Sequence, residues 1–485
     1  MRDAQGTIGG IKRKKEETMK TLAFTCAAFV GGATIALSNS AFAALGPKTQ
    51  FFIPEPDHNA VTQIESLGVQ ALEAALKGQA SQAKTLLNDA ALVTDMIAHP
   101  QAVWLDGGTP AAAEKTVQQT VREATLVGRV PTFAVYNIPY RDCGQYSAGG
   151  ALDLPSYEAW IDAVAAGIGT AQAVIVLEPD SLGTIPYYGG WCQPTITNAS
   201  GNTVVDPNAT AANRFAELNY AVSSFAANAP NALVYLDATH SAWLNVGDAA
   251  TRLVLAGVAN AAGFFLNVSN FQYTANEIQY GTWISECIAT ANAWGGTENC
   301  PNQYWNGGPP NWTGVAMNNF GLWSDTATES DLNTSEINLR YQQALAGAAP
   351  TTHFIIDTSR NANGPLNGAN YTAPPYNQAA NASALTTGNW CNPPGAGLGV
   401  RPTANTGNAL VDAFLWVKTP GQSDGQCDIA GGARAWDYSQ YNPWNVSAAN
   451  QSTFDPLWGQ VDPAAGVWFP AQALQLAQNA SPNLL

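Results

Sequence analysis

The chain has 485 residues, of which 46% are hydrophobic and only 12% are charged, with 20 Lys+Arg against 36 Asp+Glu. This length and apolar content suffice for a large core, arranged as one barrel or as two ordinary domains. The net charge of −16 argues against nucleic acid and anionic lipid as partners, because both would require a basic patch.

The N-terminal residues have the features of a secretory signal peptide. A dense basic run at residues 12–15 precedes an apolar segment at residues 21–37, and an Ala-x-Ala cleavage pattern ends at Ala43. We therefore expect residues 1–43 to be removed, with Met19 as an alternative start, and residues 44–485 to form one exported domain. A membrane anchor is the alternative, but the apolar segment is short and is followed by a cleavage site. No membrane partner is expected after cleavage.

The cysteine content fits an oxidising compartment. Cys26 is lost with the signal peptide, which leaves an even number of cysteines. None of them forms a C-x-x-C pair and the four histidines do not cluster, so the sequence predicts disulfide bonds and no metal site. The six remaining cysteines are Cys143, Cys192, Cys287, Cys300, Cys391 and Cys427.

Seven apolar runs alternate with helical patterns along the mature chain. The predicted strands lie near residues 102–106, 130–138, 173–177, 232–237, 263–268, 353–357 and 410–417. The predicted helices lie near residues 63–76, 111–125, 156–169, 211–227, 249–260 and 335–345. This is the pattern of right-handed βα units around one core. Because the standard barrel has eight strands, seven predict an α/β fold with a distorted or incompletely closed (β/α) barrel.

Two long insertions interrupt this alternation, at residues 273–333 and 421–467. Both are rich in Gly, Asn, Pro and Trp, whereas a linker would be poor in aromatic residues. We therefore expect ordered loops over the C-terminal face of the barrel, and no second domain. The tryptophans of the two insertions are Trp283, Trp294, Trp305, Trp312, Trp323, Trp436, Trp444 and Trp458.

Polar side chains follow the predicted strands at the points where they end. In a parallel α/β fold these ends form the functional face. A face dense in Asp, Asn and Trp is typical of sugar binding, because indoles stack on pyranose rings while carboxylates and amides accept from hydroxyls. The side chains are Asp106, Asn137, Asp142, Asp180, Asp237, His240, Trp243, Asn267, Asn270, Asp357, Arg360, Lys418, Ser423 and Asp424, of which Asp106 and Asp357 are taken as structural.

The third strand delivers Asp180 to this face. Its residues Val174, Ile175, Val176 and Leu177 are all apolar, which predicts burial on both faces of the strand. Cleavage of a glycosidic bond needs two carboxyl groups, or one acid and a positioned water, and no cofactor. A nearby Asp142 would keep Asp180 protonated, because adjacent carboxylates raise each other's pKa. The alternative is that Asp180 caps the following helix.

Five segments carry a resemblance to a known family. They are YNIP at 136–139 with RDC at 141–143, VLEPDSL at 176–182, LDATHSAW at 236–243, NVSN at 267–270, and WCN at 390–392 with GVRP at 399–402. Together they resemble glycoside hydrolase family 6, the inverting cellulases, and the resemblance covers essentially the whole mature chain.

The resemblance implies a role for each catalytic candidate. Asp180 would donate the proton to the leaving oxygen, and Asp142 would tune it. Tyr136 would crowd the distorted sugar, and Ser147 would help to hold the attacking water. Asp424 is the candidate base, with a chain of waters as the alternative.

The resemblance also implies substrate contacts and disulfide pairs. The implied sugar platforms are Trp104, Trp243 and Trp390, and the implied hydroxyl partners are Asp237, His240, Asn270 and Lys418. Where the family usually has Glu, this chain has Gln422, which can bind a sugar but cannot pair as an anion with Lys418. The implied disulfide pairs are Cys143–Cys192 and Cys391–Cys427, which leaves Cys287–Cys300.

The expected activity is hydrolysis of β-1,4-glucan with inversion by a secreted monomer. Loops that roof a groove into a tunnel favour action at chain ends, so the two insertions favour a cellobiohydrolase. An internally cutting endoglucanase is the alternative. A non-catalytic carbohydrate-binding protein on the same barrel is a further alternative, against which the retained acid argues.

Overall fold

A computed structural model describes residues 45–188, 192–304, 316–374, 376–428, 438–439 and 441–485. The predicted signal peptide, Trp305, Trp312 and Trp436 lie outside these residues. None of the described helices is long and apolar enough to cross a membrane.

The seven predicted strands are confirmed, and they pair in parallel in one sheet. They are β1 (Val103–Leu105), β2 (Thr132–Val135), β3 (Ala173–Leu177), β6 (Ala232–Asp237), β7 (Gly263–Leu266), β8 (His353–Asp357) and β9 (Val411–Leu415). Their spatial order is β1-β2-β3-β6-β7-β8-β9, which is also their order along the chain. Two small antiparallel hairpins lie outside the sheet, β4 (Thr195–Thr197) with β5 (Thr203–Val205) and β10 (Phe454–Asp455) with β11 (Gln460–Val461).

The barrel is incompletely closed, as the strand count predicted. In the described residues no strand pairing joins the two edge strands, β1 and β9. Two hydrogen bonds cross this seam instead: the Ala102 N–H donates to the Trp416 carbonyl at 3.0 Å, and the Trp104 indole Nε1–H donates to the Val417 carbonyl at 2.8 Å.

Helices surround the sheet, and all six predicted helices are present. The described helices are α1 (His58–Leu76), α2 (Ala80–Ile97), α3 (Pro110–Leu126), α4 (Leu154–Ile168), α5 (Ala211–Asn228), α6 (Val246–Leu255), α7 (Thr274–Trp294), α8 (Ser335–Leu345), α9 (Ala379–Thr387) and α10 (Pro470–Gln478). Side chains of Thr109, Asp153, Thr210 and Asn245 accept backbone N–H groups and so cap the starts of α3 to α6.

Helix α7 corrects the expectation that residues 273–333 form loops over the functional face. It has 21 residues and buries Tyr280, Trp283, Ile284 and Cys287 in the cluster that also contains the strands' helix-facing side chains. The apolar period is hard to recognise because polar residues of the same helix, including Glu277, are buried as well. The segment after β7 therefore contributes a packed barrel helix.

Strand β3 is buried on both faces, as predicted. Ile175 and Leu177 pack among the helices, whereas Val174 and Val176 lie in the barrel interior with residues such as Tyr235. All five side chains of the strand are inaccessible to solvent. The strand therefore holds the turn that follows it on a rigid base.

A polar network crosses the barrel near the N-terminal ends of β8 and β9. The Tyr235 hydroxyl donates to Asp412 Oδ2 at 2.7 Å, and Nδ1 of His353 lies 2.7 Å from Asp412 Oδ1. The hydrogen bond to Asp412 raises the pKa of His353 above its usual value. The protonated imidazolium is thus favoured in the folded state.

Replacing His353 by Gln is expected to lower stability only at acid and neutral pH. Because the folded-state pKa of His353 is raised, its contribution is fully present below about pH 6.5 and is lost as the pH rises through the folded-state pKa. The side chain is 41% exposed, so the loss is about 0.2–1 kcal/mol. Thermal melts at pH 5.5 and pH 9 measure it, with the exposed His58→Gln as control; an equal loss at both pH values contradicts the assignment.

Candidate active site

The turns that follow β2 and β3 have unusual backbone geometry. Asp142, Glu178 and Asp180 adopt positive φ values of 48°, 55° and 63°, which non-glycine residues rarely do. Such conformations persist only where the surroundings enforce them, and they are concentrated at functional sites. The described chain from Ser181 to Tyr188 contains turns and no helix, so Asp180 is not a helix cap.

Asp180 and Asp142 form an interacting pair of carboxyl groups at these strand ends. Burial raises the pKa of Asp180 well above its usual value, and the negative charge of Asp142 raises it further. Burial also raises the pKa of Asp142, although the Ser147 backbone N–H and the charge of Arg141 lower it. Two such groups do not both ionise readily. The charge of an ionised Asp142 therefore favours the protonated form of Asp180.

Glu178 lies between the same two strands, but it has a structural role. It is fully buried, and its carboxylate accepts the backbone N–H groups of Asn137 and Ile138, each at 2.9 Å. The end of β3 is thereby joined to the segment that leads from β2 to Asp142. The sequence shows Glu178 beside Pro179 and Asp180, but its partners are about forty positions away and no local pattern predicts them.

Arg214 on α5 bonds to both of the loops that carry Asp142 and Asp180. Its buried guanidinium donates to the carbonyl of Pro139 at 2.7 Å and to that of Ser181 at 2.9 Å, and its Nε lies 3.3 Å from Glu217. Pro139 precedes Asp142, and Ser181 follows Asp180. This residue was missed in the sequence, where it is one polar position of an amphipathic helix.

Asp424 is held in a network of two cations. Its Oδ2 lies 2.8 Å from the guanidinium of Arg360 and accepts the Asn392 N–H at 2.9 Å, and its Oδ1 lies 3.3 Å from Lys418 Nζ. Burial alone would raise the pKa of Asp424, but the charges of Arg360 and Lys418 hold it below its usual value. The carboxylate therefore stays ionised and accepts a proton poorly.

Asn392 organises the loop next to Asp424, a role that the family-like segment at 390–392 did not predict. It is fully buried with φ of 38°, and its Nδ2 donates to Ser423 Oγ at 3.0 Å and to Asp462 Oδ2 at 2.9 Å. Its neighbours in the chain are Trp390 and Cys391. The network thus fixes the base of the loop that carries the predicted sugar platform.

The three predicted platforms are half-buried and each has an aromatic neighbour. Trp104 meets the Tyr136 ring edge to face at 5.4 Å, and Trp390 lies 6.1 Å from the Tyr146 ring. Trp243 lies 5.8 Å from the His240 ring. These contacts restrain the indoles and leave part of each surface accessible.

His240 is a neutral imidazole in this site. Burial lowers its pKa to about 3, and its Nδ1 accepts the Ala242 N–H at 3.2 Å. A neutral ring that accepts at Nδ1 carries its proton on Nε2. His240 therefore offers a hydrogen-bond donor, which suits a partner of a sugar hydroxyl.

Two further predicted sugar partners use their side chains in hydrogen bonds to the protein backbone. Asp237 is 1% exposed, and its carboxylate accepts the N–H groups of Leu182 and Thr239, each at 2.9 Å. Asn270 donates through Nδ2 to the Val268 carbonyl at 3.1 Å. For Asp237 this geometry supports positioning of the turn after β3 more than direct contact with a sugar.

Gln422 faces the start of α1 in this structure. Its Nε2 donates to Asp57 Oδ2 at 3.4 Å, a long hydrogen bond, while Lys418 pairs with Asp424 instead. Asp57 also caps α1 through its other oxygen. The amide at position 422 thus avoids a repulsion that a Glu would have with Asp57.

All three expected disulfide bonds are confirmed: Cys143–Cys192, Cys287–Cys300 and Cys391–Cys427. Ligand-type atoms of Cys427, Asp455 and Asp462 lie within 4.8 Å of one another. Because the Cys427 sulfur is bonded to Cys391, this cluster does not offer a thiolate to a metal ion.

Comparisons with known proteins place this chain among glycoside hydrolases. A family model described as "Glycosyl hydrolases family 6" matches residues 64–480. "Endoglucanase A" of Cellulomonas fimi is 30% identical over 81% of this chain, and "Probable 1,4-beta-D-glucan cellobiohydrolase C" of Neosartorya fischeri is 29% identical over 79%. The chain spans 57% of the former relative and 70% of the latter.

A solved structure shows the same architecture. The endoglucanase Cel6 from Mycobacterium tuberculosis, solved with a thio-linked cellobioside, superposes with a TM-score of 0.52 at 28% identity. The match covers 89% of this chain and 97% of that one.

Replacing Arg214 by Met is expected to destabilise the fold by about 3–5 kcal/mol at pH 8, because it leaves buried carboxylates unpaired. The pKa values of Glu178 and Glu217 are raised by burial to about 7, so both groups are neutral at pH 5 and the loss should be smaller there. Urea denaturation at both pH values measures the change. Lys77→Met, which removes an exposed pair with Glu73, is the control and should cause no measurable loss. A loss that is independent of pH would argue against the pairing.

Proposed function

Because the chain belongs to glycosyl hydrolase family 6, we propose that it is a cellulase that hydrolyses β-1,4-glucosidic bonds of cellulose or cello-oligosaccharides with inversion. The observation that carries the proposal is the raised pKa of Asp180 at the end of β3, which burial and the charge of Asp142 after β2 both cause. Such a pair supplies a general acid near neutral pH.

Asp180 gives its proton to the leaving glycosidic oxygen. The transition state of this reaction resembles an oxocarbenium ion, and a distorted sugar ring lies closer to it. Tyr136 is buried next to the pair, with the Arg141 guanidinium 4.6 Å from its ring centroid and Trp104 at its edge. Its fixed ring crowds the sugar at the cleavage point and favours the distorted form.

The proton of the attacking water leaves along a chain of waters. Asp424 is unsuited to take it directly, because Arg360 and Lys418 stabilise its ionised form. Ser147 lies on the loop whose backbone N–H bonds Asp142, so a water at Ser147 is within reach of that carboxylate. A chain of waters therefore passes the proton towards Asp142, while Asp424 and its cations fix the surrounding loops.

Substrate binding uses the half-buried surfaces of the strand-end face. Trp104, Trp243 and Trp390 stack on glucose rings, and His240 and Lys418 contribute hydroxyl contacts at the same face. As further hydroxyl partners, Asn270 and Gln422 would exchange their hydrogen bonds to the Val268 carbonyl and to Asp57 for bonds to a sugar.

We favour release of cellobiose from chain ends over internal cutting. The segment after β9 packs over the Asp424 network: the Trp458 indole donates to the Asn392 carbonyl at 2.7 Å, and Ser423 Oγ donates to the Pro463 carbonyl at 2.8 Å. A segment packed at this edge would form one wall of a substrate groove. The segment after β7 offers less support, since much of it is helix α7. The relatives carry both names, endoglucanase and cellobiohydrolase.

The protein acts outside the cell as a monomer, without a cofactor. Three disulfide bonds support an oxidising compartment, because such bonds are rare in the cytosol. The N-terminal sequence features support export.

Replacing Asp180 by Asn is expected to reduce hydrolysis of cellohexaose by at least 10³-fold, because the amide cannot donate the proton. Folding and binding of the oligosaccharide should be retained. Reducing-sugar release, thermal melts and calorimetric titration measure these three properties. Asp325→Asn, at an exposed carboxylate, is the control for the charge change. Undiminished hydrolysis would remove Asp180 as the acid, and a wild type that binds without cleaving would indicate a non-catalytic binding protein.

Digestion of soluble cellulose is expected to release cellobiose with a slow loss of viscosity, because chain-end cuts shorten polymers little. Viscometry and chromatography of the products in the same reaction measure the two quantities. Proton NMR of the first product should show the α-anomer, which is the signature of inversion. Rapid viscosity loss with little cellobiose would instead identify an endoglucanase.

A further inference from the structure

The turn at residues 238–246, called here the Trp243 turn, carries both His240 and Trp243 after strand β6. Six of its backbone groups bond to side chains of one separate unit of the chain. These groups are the Ala238 carbonyl, the Ser241 N–H and carbonyl, the Trp243 and Leu244 carbonyls, and the Val246 N–H.

Helix α7 supplies two of the partner side chains. The buried Glu277 accepts the Ser241 N–H at Oε1 with a distance of 2.9 Å, and the Tyr280 hydroxyl donates to the Leu244 carbonyl at 2.7 Å. Both side chains are inaccessible to solvent. Two residues one helical turn apart on α7 therefore bond to the backbone of the Trp243 turn at two positions.

The segment that follows α7 supplies the other two side chains. Gln303 donates through Nε2 to the carbonyls of Ser241 and Leu244, each at 2.9 Å, and accepts the Val246 N–H at Oε1 with 3.2 Å. The hydroxyl of Tyr304 donates to the Trp243 carbonyl at 3.0 Å. Gln303 alone thus makes three hydrogen bonds from a fully buried position.

A disulfide bond and a close backbone contact fix this unit. Cys287 on α7 is bonded to Cys300, three residues before Gln303. A Cβ added to Gly247, directly after the turn, would lie 2.8 Å from the Thr297 carbonyl oxygen, so only glycine permits this approach. The unit from Thr274 to Tyr304 and the Trp243 turn are therefore packed as one piece.

We propose that residues 274–304 form a brace that positions His240 and Trp243 for sugar binding, with Glu277 and Gln303 as its positioning residues and the Cys287–Cys300 disulfide as its lock. The proposal rests on the proposed function, because it takes His240 and Trp243 as substrate contacts. A backbone whose buried polar groups all bond to a locked element cannot shift without leaving them unsatisfied. The indole is thus held in place before the sugar arrives, which lowers the cost of binding.

The charge state of Glu277 gives this brace a distinctive pH dependence. Burial raises the pKa of Glu277 to about 8, and hydrogen bonding from Ser241 offsets this only in part. Tyr280 and Tyr304 face the same region from the brace, and Asp237 and His240 face it from β6 and its turn. Helix α6 contributes Arg252, which interacts with Tyr280, and Asp248, which interacts with Tyr304. No cation among the described residues pairs with Glu277. Above pH 8 an unpaired charge would therefore form beneath the turn.

Gln303→Met tests the brace without changing volume greatly. In the wild-type background, the KM for cellohexaose is expected to rise about tenfold with kcat changed less than twofold. In the Asp180→Asn background, the Kd for cellotetraose measured by calorimetry should rise to a similar extent. Gln118→Met, on the exposed face of α3, is the control and should change neither value. A folded Gln303→Met protein with an unchanged Kd would overturn the proposal.

Glu277→Gln keeps the acceptor for Ser241 but cannot ionise. In the Asp180→Asn background, binding of cellotetraose should weaken severalfold between pH 7 and pH 9 with Glu277 present, and should stay constant after Glu277→Gln. Glu286→Gln changes the charge on the same helix away from the turn, and it should retain the pH-dependent weakening. If the Kd for cellotetraose depends on pH in the same way with and without Glu277→Gln in the Asp180→Asn background, the role of Glu277 is overturned.

Cys287→Ala with Cys300→Ala tests the lock, and it remains informative if Gln303→Met fails to fold. We expect a KM increase of about threefold or more, with kcat unchanged. Equal loss of kcat and kcat/KM, with unchanged Kd, would instead indicate general damage and would overturn the brace. A wild type that does not cleave cellohexaose would refute the proposed function, whereas the Kd measurements still decide the brace.

Discussion

The structure depends on keeping two half-buried carboxyl groups, Asp142 and Asp180, within electrostatic reach of each other. The charge of Asp142 favours the protonated form of Asp180, whereas repulsion between the two ionised groups would separate their loops. Glu178 and Arg214 oppose this by bonding backbone groups of both loops from buried positions. The chemistry of the pair is therefore inseparable from the polar groups beneath it.

Buried carboxylates also bond to the backbone of neighbouring loops at other strand ends of the sheet. Asp237 at the end of β6 accepts the Leu182 N–H from the loop after β3, and Asp357 at the end of β8 accepts N–H groups from Ser269 and Lys418 in the loops after β7 and β9. Each strand-end carboxylate holds the loop of a neighbouring strand. In this sheet, which is open between β1 and β9, these hydrogen bonds connect neighbouring loops at the C-terminal ends of the strands.

Much of this architecture could be predicted from the sequence, because apolar runs such as β3 and strong caps such as Thr109 are local signals. The candidate acid was accessible for the same reason, since Asp180 follows a buried strand. Helix α7 could not be predicted from the sequence, because its buried Glu277 interrupts the apolar period. The roles of Arg214, Asn392 and Glu178 were also inaccessible, since each bonds groups tens of residues away in the chain.

Trp104, at the open edge between β1 and β9, has two roles. Its indole N–H fastens the barrel edge to the Val417 carbonyl, while its ring is a candidate surface for glucose. The same indole therefore belongs both to the hydrogen bonding that joins the two edges of the sheet and to the surface proposed above for glucose. Under that proposal, loss of the indole would weaken the contact between β1 and the segment after β9 as well as the binding of the sugar.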